Sequence, residues 1–168
     1  MIVAHLPAGY ISAKLLFKHF IGAGVGAQVF IIFGILGAVF PDLDMFYFYL
    51  IDNRQHHHHT YWPHYPMLWL VLLAIASLWL KFSKERSNAS LLLVFSIGGF
   101  IHMLLDTIVG DVWWLSPFVD KSFVLFTVPA TYEIWWFNFI FHWSFVLEIC
   151  ILVWSILLLR KKRPNVNR

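Results

Sequence analysis

The sequence predicts an all-α membrane protein, a polytopic transmembrane helical bundle of four to five membrane-inserted helices forming a single domain over residues 1–168. Three observations carry this expectation. The chain is 60% hydrophobic and 12% charged, whereas soluble domains sit near 45–50% apolar and about 25% charged. Several apolar runs reach the roughly 17–25 residues that a bilayer-spanning helix needs. Lys and Arg gather on alternate connections, the bias that sets orientation in a membrane. Aromatic residues, with nine Trp among them, cluster at the ends of the apolar runs, as interfacial belts do.

Taken in order, residues 8–20 form a short amphipathic stretch with Lys14 and Lys18. It either lies in the interface or forms the first arm of a helical hairpin turning at the Gly-rich segment 22–26. The hairpin is preferred, because the interfacial arrangement strands His5 across the bilayer from the other polar residues. Residues 20–40 are apolar and Gly-rich, which suits close helix packing. Pro41 interrupts that run, and residues 41–65 read as a polar, aromatic-rich loop. Spans follow at 66–82, 91–109 and 135–159, with a loop at 110–134. Cys150 stands alone inside an apolar run, so there is neither a disulfide framework nor a thiolate metal motif. The start, MIVAHLPAGYIS, lacks the basic residues and early apolar region of a cleavable signal peptide.

Lys14, Lys18, Lys81, Lys84, Arg86, Arg160, Lys161, Lys162, Arg163 and Arg168 fall on one side, and only Arg54 and Lys121 on the other. The basic side is expected to be cytoplasmic, C-terminus included. The loops at 41–65 and 110–134 then face the periplasm or the outer leaflet. This topology accounts for the pI of about 9.1, and no nucleic-acid partner is expected.

The candidate chemistry lies in those two outward loops and the helix ends beside them. His102 and Asp106 are four apart in an apolar run, one turn apart on one helix face, so both reach one cation. The plain alternative is a buried His–Asp hydrogen bond. Asp42 and Asp44 follow the Pro41 break; one or both ligate metal, or an aspartate caps the next helix. His59 and His64 form an H-x4-H pair, with His56, His57 and His58 ahead of them reading more simply as a solvated loop. Neutral imidazole is the commonest metal ligand, and aspartate completes sites that hold an activated water. Ionisable residues at membrane depth default to function. In the last span, Glu148 is expected to hydrogen-bond another helix, and His142 lies within possible reach of the outward site. The G-x-S-x-G, P-loop, C-x-x-C and H-E-x-x-H motifs are absent, which excludes the ordinary hydrolases and zinc proteases built on them.

In this order the motifs resemble the bacterial membrane-bound metal-dependent hydrolase family of YdjM type. That family shows an early His, then P-D-[IL]-D-H, H-R-G-x-T-H, [SG]-H-x-x-x-D and a W-P loop. The early His falls on His5, the acidic motif on Asp42 and Asp44, the H-x4-H on His59 and His64, and the last pair on His102 and Asp106. Met45, Thr60 and Pro63 stand where the family has His, Arg and Thr, and WWLSP supplies the trailing loop. The ligand order is also similar, more distantly, to the zinc-dependent phospholipase C and P1 nuclease group, which implies phosphoester chemistry.

The resemblance implies a bacterial inner-membrane enzyme binding one to three divalent ions, zinc foremost, through His5, Asp42, Asp44, His59, His64, His102 and Asp106. Asp44, or next to it Asp42, is expected to orient or deprotonate a catalytic water. A site beside the headgroups suggests membrane lipids as partners and a lipid or lipid-linked phosphoester as substrate. The competing expectations are a non-enzymatic metal-binding protein for transport or sensing, and a complex-forming subunit whose His–Asp contacts merely pack helices.

Overall fold

A computed structural model describes Met1 and residues 3–161; the basic residues Lys162, Arg163 and Arg168 lie outside the described residues. All regular elements among these are helical, apart from an isolated antiparallel bridge between Val112 and Phe123. Seven α-helices follow one another: α1 (His5–Leu16), α2 (Ala27–Val39), α3 (Asp44–Leu50), α4 (Pro66–Phe82), α5 (Ser87–Val109), α6 (Trp135–Ile140) and α7 (Ser144–Arg160).

Small residues decide how the first, second and fifth helices meet. A Cβ on Gly9 would lie 2.6 Å from Ala38 Cβ, and one on Gly34 would lie 2.6 Å from Ala13 Cβ. The pairing 9 with 38 and 13 with 34 makes α1 and α2 antiparallel, and the backbones approach as small-residue helix interfaces allow. The hairpin is therefore present, turning through two 3₁₀ segments, Phe17–His19 and Ile21–Ala23, and Gly24 at φ 77°. Gly98 on α5 is seated on the backbone of α2 at Gly34 and Gly37, which leaves no room for a side chain there. α5 thus forms the centre, packed by α1, α2 and α4, while α7 packs on α1.

Outward faces remain apolar: Leu36, Ile75, Leu78 and Leu157 are each about half exposed. Contiguous apolar surface of this kind is what lipid contact or a partner requires. Among the described residues, α5 alone is by itself long and apolar enough to cross a bilayer. A second span results if α2 and the segment Pro41–Leu50, bent by 54°, count together. The shorter α4 and α7 have 17 residues each.

Two elements depart from expectation. Residues 135–159 are not one helix: α6 ends at Ile140 and α7 begins at Ser144. The His142 ring nitrogen pairs with Ser144 Oγ at 2.9 Å, a local side-chain contact that competes with the helical ladder. Asn138 also turns back, its Oδ1 accepting the N–H groups of Thr131 and Tyr132. In residues 41–65 the chain is built, not loose: α3 and the 3₁₀ turns His58–Thr60 and Trp62–His64 fold it over the bundle.

These helices run so that His5, Asp42, His64, His102 and Asp106 fall at one end of the bundle. Lys14, Lys81, Arg86 and Arg160 fall at the opposite ends of the same helices.

Candidate metal centre

Asp106 is the hub. It is 2% exposed, one turn beyond His102 on α5, and its two carboxylate oxygens face different groups. Around Oδ2 stand three imidazole Nε2 atoms, His102 at 2.9 Å, His59 at 3.6 Å and His64 at 3.8 Å. Oδ1 accepts from the Met1 amino group at 2.5 Å and lies 3.1 Å from His5 Nε2. The hairpin accounts for the latter: α1 returns beside α2, and the His5 ring stacks on His102 with centroids 3.7 Å apart.

In the three rings around Oδ2 the other nitrogen is held by an acceptor. His102 Nδ1 donates to the Ala38 carbonyl and His59 Nδ1 to the Asp111 carbonyl, both at 2.7 Å. His64 Nδ1 donates to Asp44 Oδ2 at 2.5 Å. A proton committed to Nδ1 leaves the Nε2 lone pair free, the arrangement found behind metal-ligating histidines. His64 Nε2 and His102 Nε2, on residues wholly buried, have no hydrogen-bond partner among the described residues.

Burial also keeps the loop imidazoles neutral. It is the largest influence on His58, His59 and His64, pushing them down from 6.5 to about 2, 3 and 3. Neighbouring imidazoles add to the depression at all three, and Asp106 partly opposes it. Neutral rings at neutral pH are the form that ligates.

Donor spacing gives a test of fit. A tetrahedral ion with bonds of about 2.1 Å separates its donors by roughly 3.4 Å. The distances around Asp106 Oδ2 bracket that spacing, and Asp42 Oδ1 stands slightly beyond it, 3.6 Å from His102 Nε2 and 3.9 Å from His64 Nε2. Three sets of ligand atoms lie close enough to hold a cation: His58–His59–His64, His5–Asp42–His102 and His64–His102–Asp106. Two of these share no residue, and Asp106 stands between them.

The predicted residues separate into roles. His5, Asp42, His59, His64, His102 and Asp106 converge. Asp44 stands behind His64, and its other oxygen is 3.9 Å from His58 Nδ1. It does not cap α3. His58, read from the sequence as a loop residue, turns inward on the 3₁₀ segment and joins the cluster. Nothing in a run of four histidines singles it out; the turn does. His56 pairs instead with Asp52 at the surface, and the His142 ring stays with Ser144, away from the cluster. Glu148, expected to hydrogen-bond another helix, reaches instead the segment that leads into α1: its Oε2 accepts the N–H groups of Val3 and of the N-cap residue Ala4.

Beside the cluster opens a cavity of about 560 Å³. Asp42, His58, His59 and Asp106 form its polar part, and Met45, Val109, Val124, Val128, Trp135 and Phe139 its apolar walls. Asp42 is the open member of the cluster, its side chain 40% exposed.

Fold and site together define an all-helical protein with a buried His/Asp cluster at one end of its helices. More particularly, the chain belongs to the YdjM inner membrane protein family, whose family model matches residues 1–163. No curated protein and no solved structure matches it.

Proposed function

We propose that this inner-membrane protein is a metal-dependent hydrolase of phosphoesters, with two divalent ions, zinc foremost, at the His/Asp cluster. The observation that carries this is the trio of Nε2 atoms around Asp106 Oδ2, each ring fixed from behind through Nδ1. His58, His59 and His64 would hold one ion and His5, Asp42 and His102 the other, and the carboxylate of Asp106, which faces both sets, would add its charge to them. Divalent ions bound there supply a water of lowered pKa and offset charge developing on a phosphoryl oxygen.

The chain's own residues do the remainder. Asp42, half exposed at the cavity, is the better-placed group to take a proton from the attacking water. Asp44, named first for that task from sequence, is 3% exposed and engaged with His64; its role is to orient that ring. The cavity joins a ligand-lined floor to apolar walls, which favours an amphiphile: a phosphoester head at the cluster and a lipid chain along Trp135 and Phe139. None of the cavity's described lining residues is Lys or Arg, and the Met1 ammonium that also lines it is paired with Asp106, so neutralising an anionic head would fall mainly to the ions.

The shorter apolar helices α4 and α7, and the α1–α2 hairpin, complete four to five inserted segments in this reading. The basic helix ends face the cytoplasm, and the cluster faces the periplasm or outer leaflet. The test is metal analysis of purified protein together with phosphate release from a long-chain alkyl phosphate. About two ions per chain and chelator-sensitive release, both lost in His102→Ala, support the reading. Folded, metal-free protein unaltered by His102→Ala refutes it, and tightly bound metal without hydrolysis refutes the enzymatic part alone.

A further inference from the structure

We infer that Glu148 on α7 is a positioning residue for His5: through the backbone N–H groups of Val3 and Ala4 it fixes the start of α1, and so the reach of the His5 imidazole. The inference rests on the two-ion reading above. α1 begins without a side-chain cap and without an acidic residue in its first turn, so its leading N–H groups need an acceptor from elsewhere. Glu148 Oε2 supplies one for the N-cap residue, accepting the Ala4 N–H at 3.2 Å, and also takes the N–H of Val3, just ahead of the helix, at 2.5 Å, on a residue 1% exposed. A carboxylate within an apolar helix is costly unless it is paired. A Ser or Asp at the cap position would stabilise the helix without that cost. A cap from another helix does something a local cap does not: it ties the end of α1 to a fixed point on α7.

The tie is not isolated. Lys14, nine residues beyond His5, donates to the Leu158 carbonyl near the other end of α7 and to Tyr10 OH. α7 thus holds α1 at two points, and Glu148 is the one next to His5. His5 itself has little slack. Its ring is stacked on His102 at 3.7 Å, its Nε2 is 3.1 Å from Asp106 Oδ1, and its Nδ1 is buried without a hydrogen-bond partner among the described residues. A slide of α1 by about one residue, 1.5 Å of rise, removes His5 from that geometry while leaving His58, His59 and His64 where they are.

The experiment titrates cobalt(II) into the metal-stripped, detergent-solubilised full chain and follows stoichiometry and ligand-field absorption. Wild type is expected to take two ions. Glu148→Leu should keep one and weaken the other by about 100-fold, within the range for lost ligand support, matching His5→Ala. The double variant should be no worse than His5→Ala alone. Glu148→Gln retains a carbonyl acceptor without the charge and should weaken the second ion by several-fold, less than about tenfold and less than Glu148→Leu does. Equal weakening of both ions in Glu148→Leu, or second-ion binding as tight as wild type, overturns the inference. Should Glu148→Leu not fold, Glu148→Gln decides: unchanged second-ion affinity overturns it, and a several-fold loss supports it. Wild type that takes up no cobalt refutes the metal-centre reading instead. The positioning is then read from the His5 imidazole NMR signals, which Glu148→Gln must shift and which overturn the inference if they stay in place.

Discussion

Gly110 offers a way to disturb the cluster without touching a ligand. It follows the last residue of α5 with φ −128° and ψ 143°, ordinary extended backbone that alanine adopts without strain. A Cβ placed there would lie 2.8 Å from His59 Cε1. Ordinary contact begins near 3.4 Å, so the ring must retreat by about 0.6 Å. It has nowhere easy to go, because Nδ1 is held by the Asp111 carbonyl at 2.7 Å and the residue is 6% exposed. Displacement of that size is comparable to losing a supporting contact, which costs roughly 10–100-fold in metal affinity. Gly110→Ala is therefore expected to weaken zinc by about 10-fold or more in a chelator-competition titration, while the apo-protein's unfolding temperature stays near that of wild type. Affinity within twofold of wild type, in a preparation where His59→Ala loses it, would refute the placement of His59 as a ligand constrained from behind.

Two further outcomes follow from burial. His58, His59 and His64 are held neutral in the folded chain, at about 2, 3 and 3 against 6.5, so between about pH 6.5 and 3 the unfolded chain binds more protons. Apo-protein stability should be insensitive to these rings above that window and fall as pH drops through it; thermal unfolding that is more resistant at pH 4.5 than at pH 7 contradicts this. Gly99→Ala drives a methyl into the ring of Trp69, which is wholly buried and donates from Nε1 to the Pro63 carbonyl at 2.8 Å. Overpacking of this kind costs about 1–3 kcal/mol, read as a lowered unfolding temperature; an unchanged one means that α4 yields where it is drawn as rigid.

Much of the His/Asp cluster was legible because its signals are local. The four-residue spacing of His102 and Asp106 places both on one face whatever the tertiary structure, and the two do meet at 2.9 Å. The hairpin was legible through glycine: Gly22, Gly24 and Gly26 mark the turn, and Gly34 and Gly37 the seam. Three features were not. Whether His58 or His57 turns inward depends on a 3₁₀ segment stabilised by Thr60 Oγ1 donating to the His57 carbonyl, which periodicity does not register. The division of labour between Asp42 and Asp44 depends on His64 approaching from twenty residues away. The break between α6 and α7 arises from Asn138 and His142 bonding locally, inside a run whose hydropathy reads as continuous.

The kink after α2 has a consequence beyond redirecting the chain. Ala38 lies in the last turn of α2, among the carbonyls that lose their partners where a helix stops, and the N–H that would reach it, that of Asp42, belongs to the 3₁₀ segment that Pro41 opens. Uncompensated, an open carbonyl inside a bundle is a liability. Here it becomes the acceptor of the His102 Nδ1–H hydrogen bond, so that the interruption of one helix selects the tautomer of a ring on another. Straightening α2 through residue 42 would return that carbonyl to its own backbone and free the His102 proton to sit on either nitrogen. A discontinuity in the main chain thus acts as a chemical setting, chosen by a proline three residues downstream.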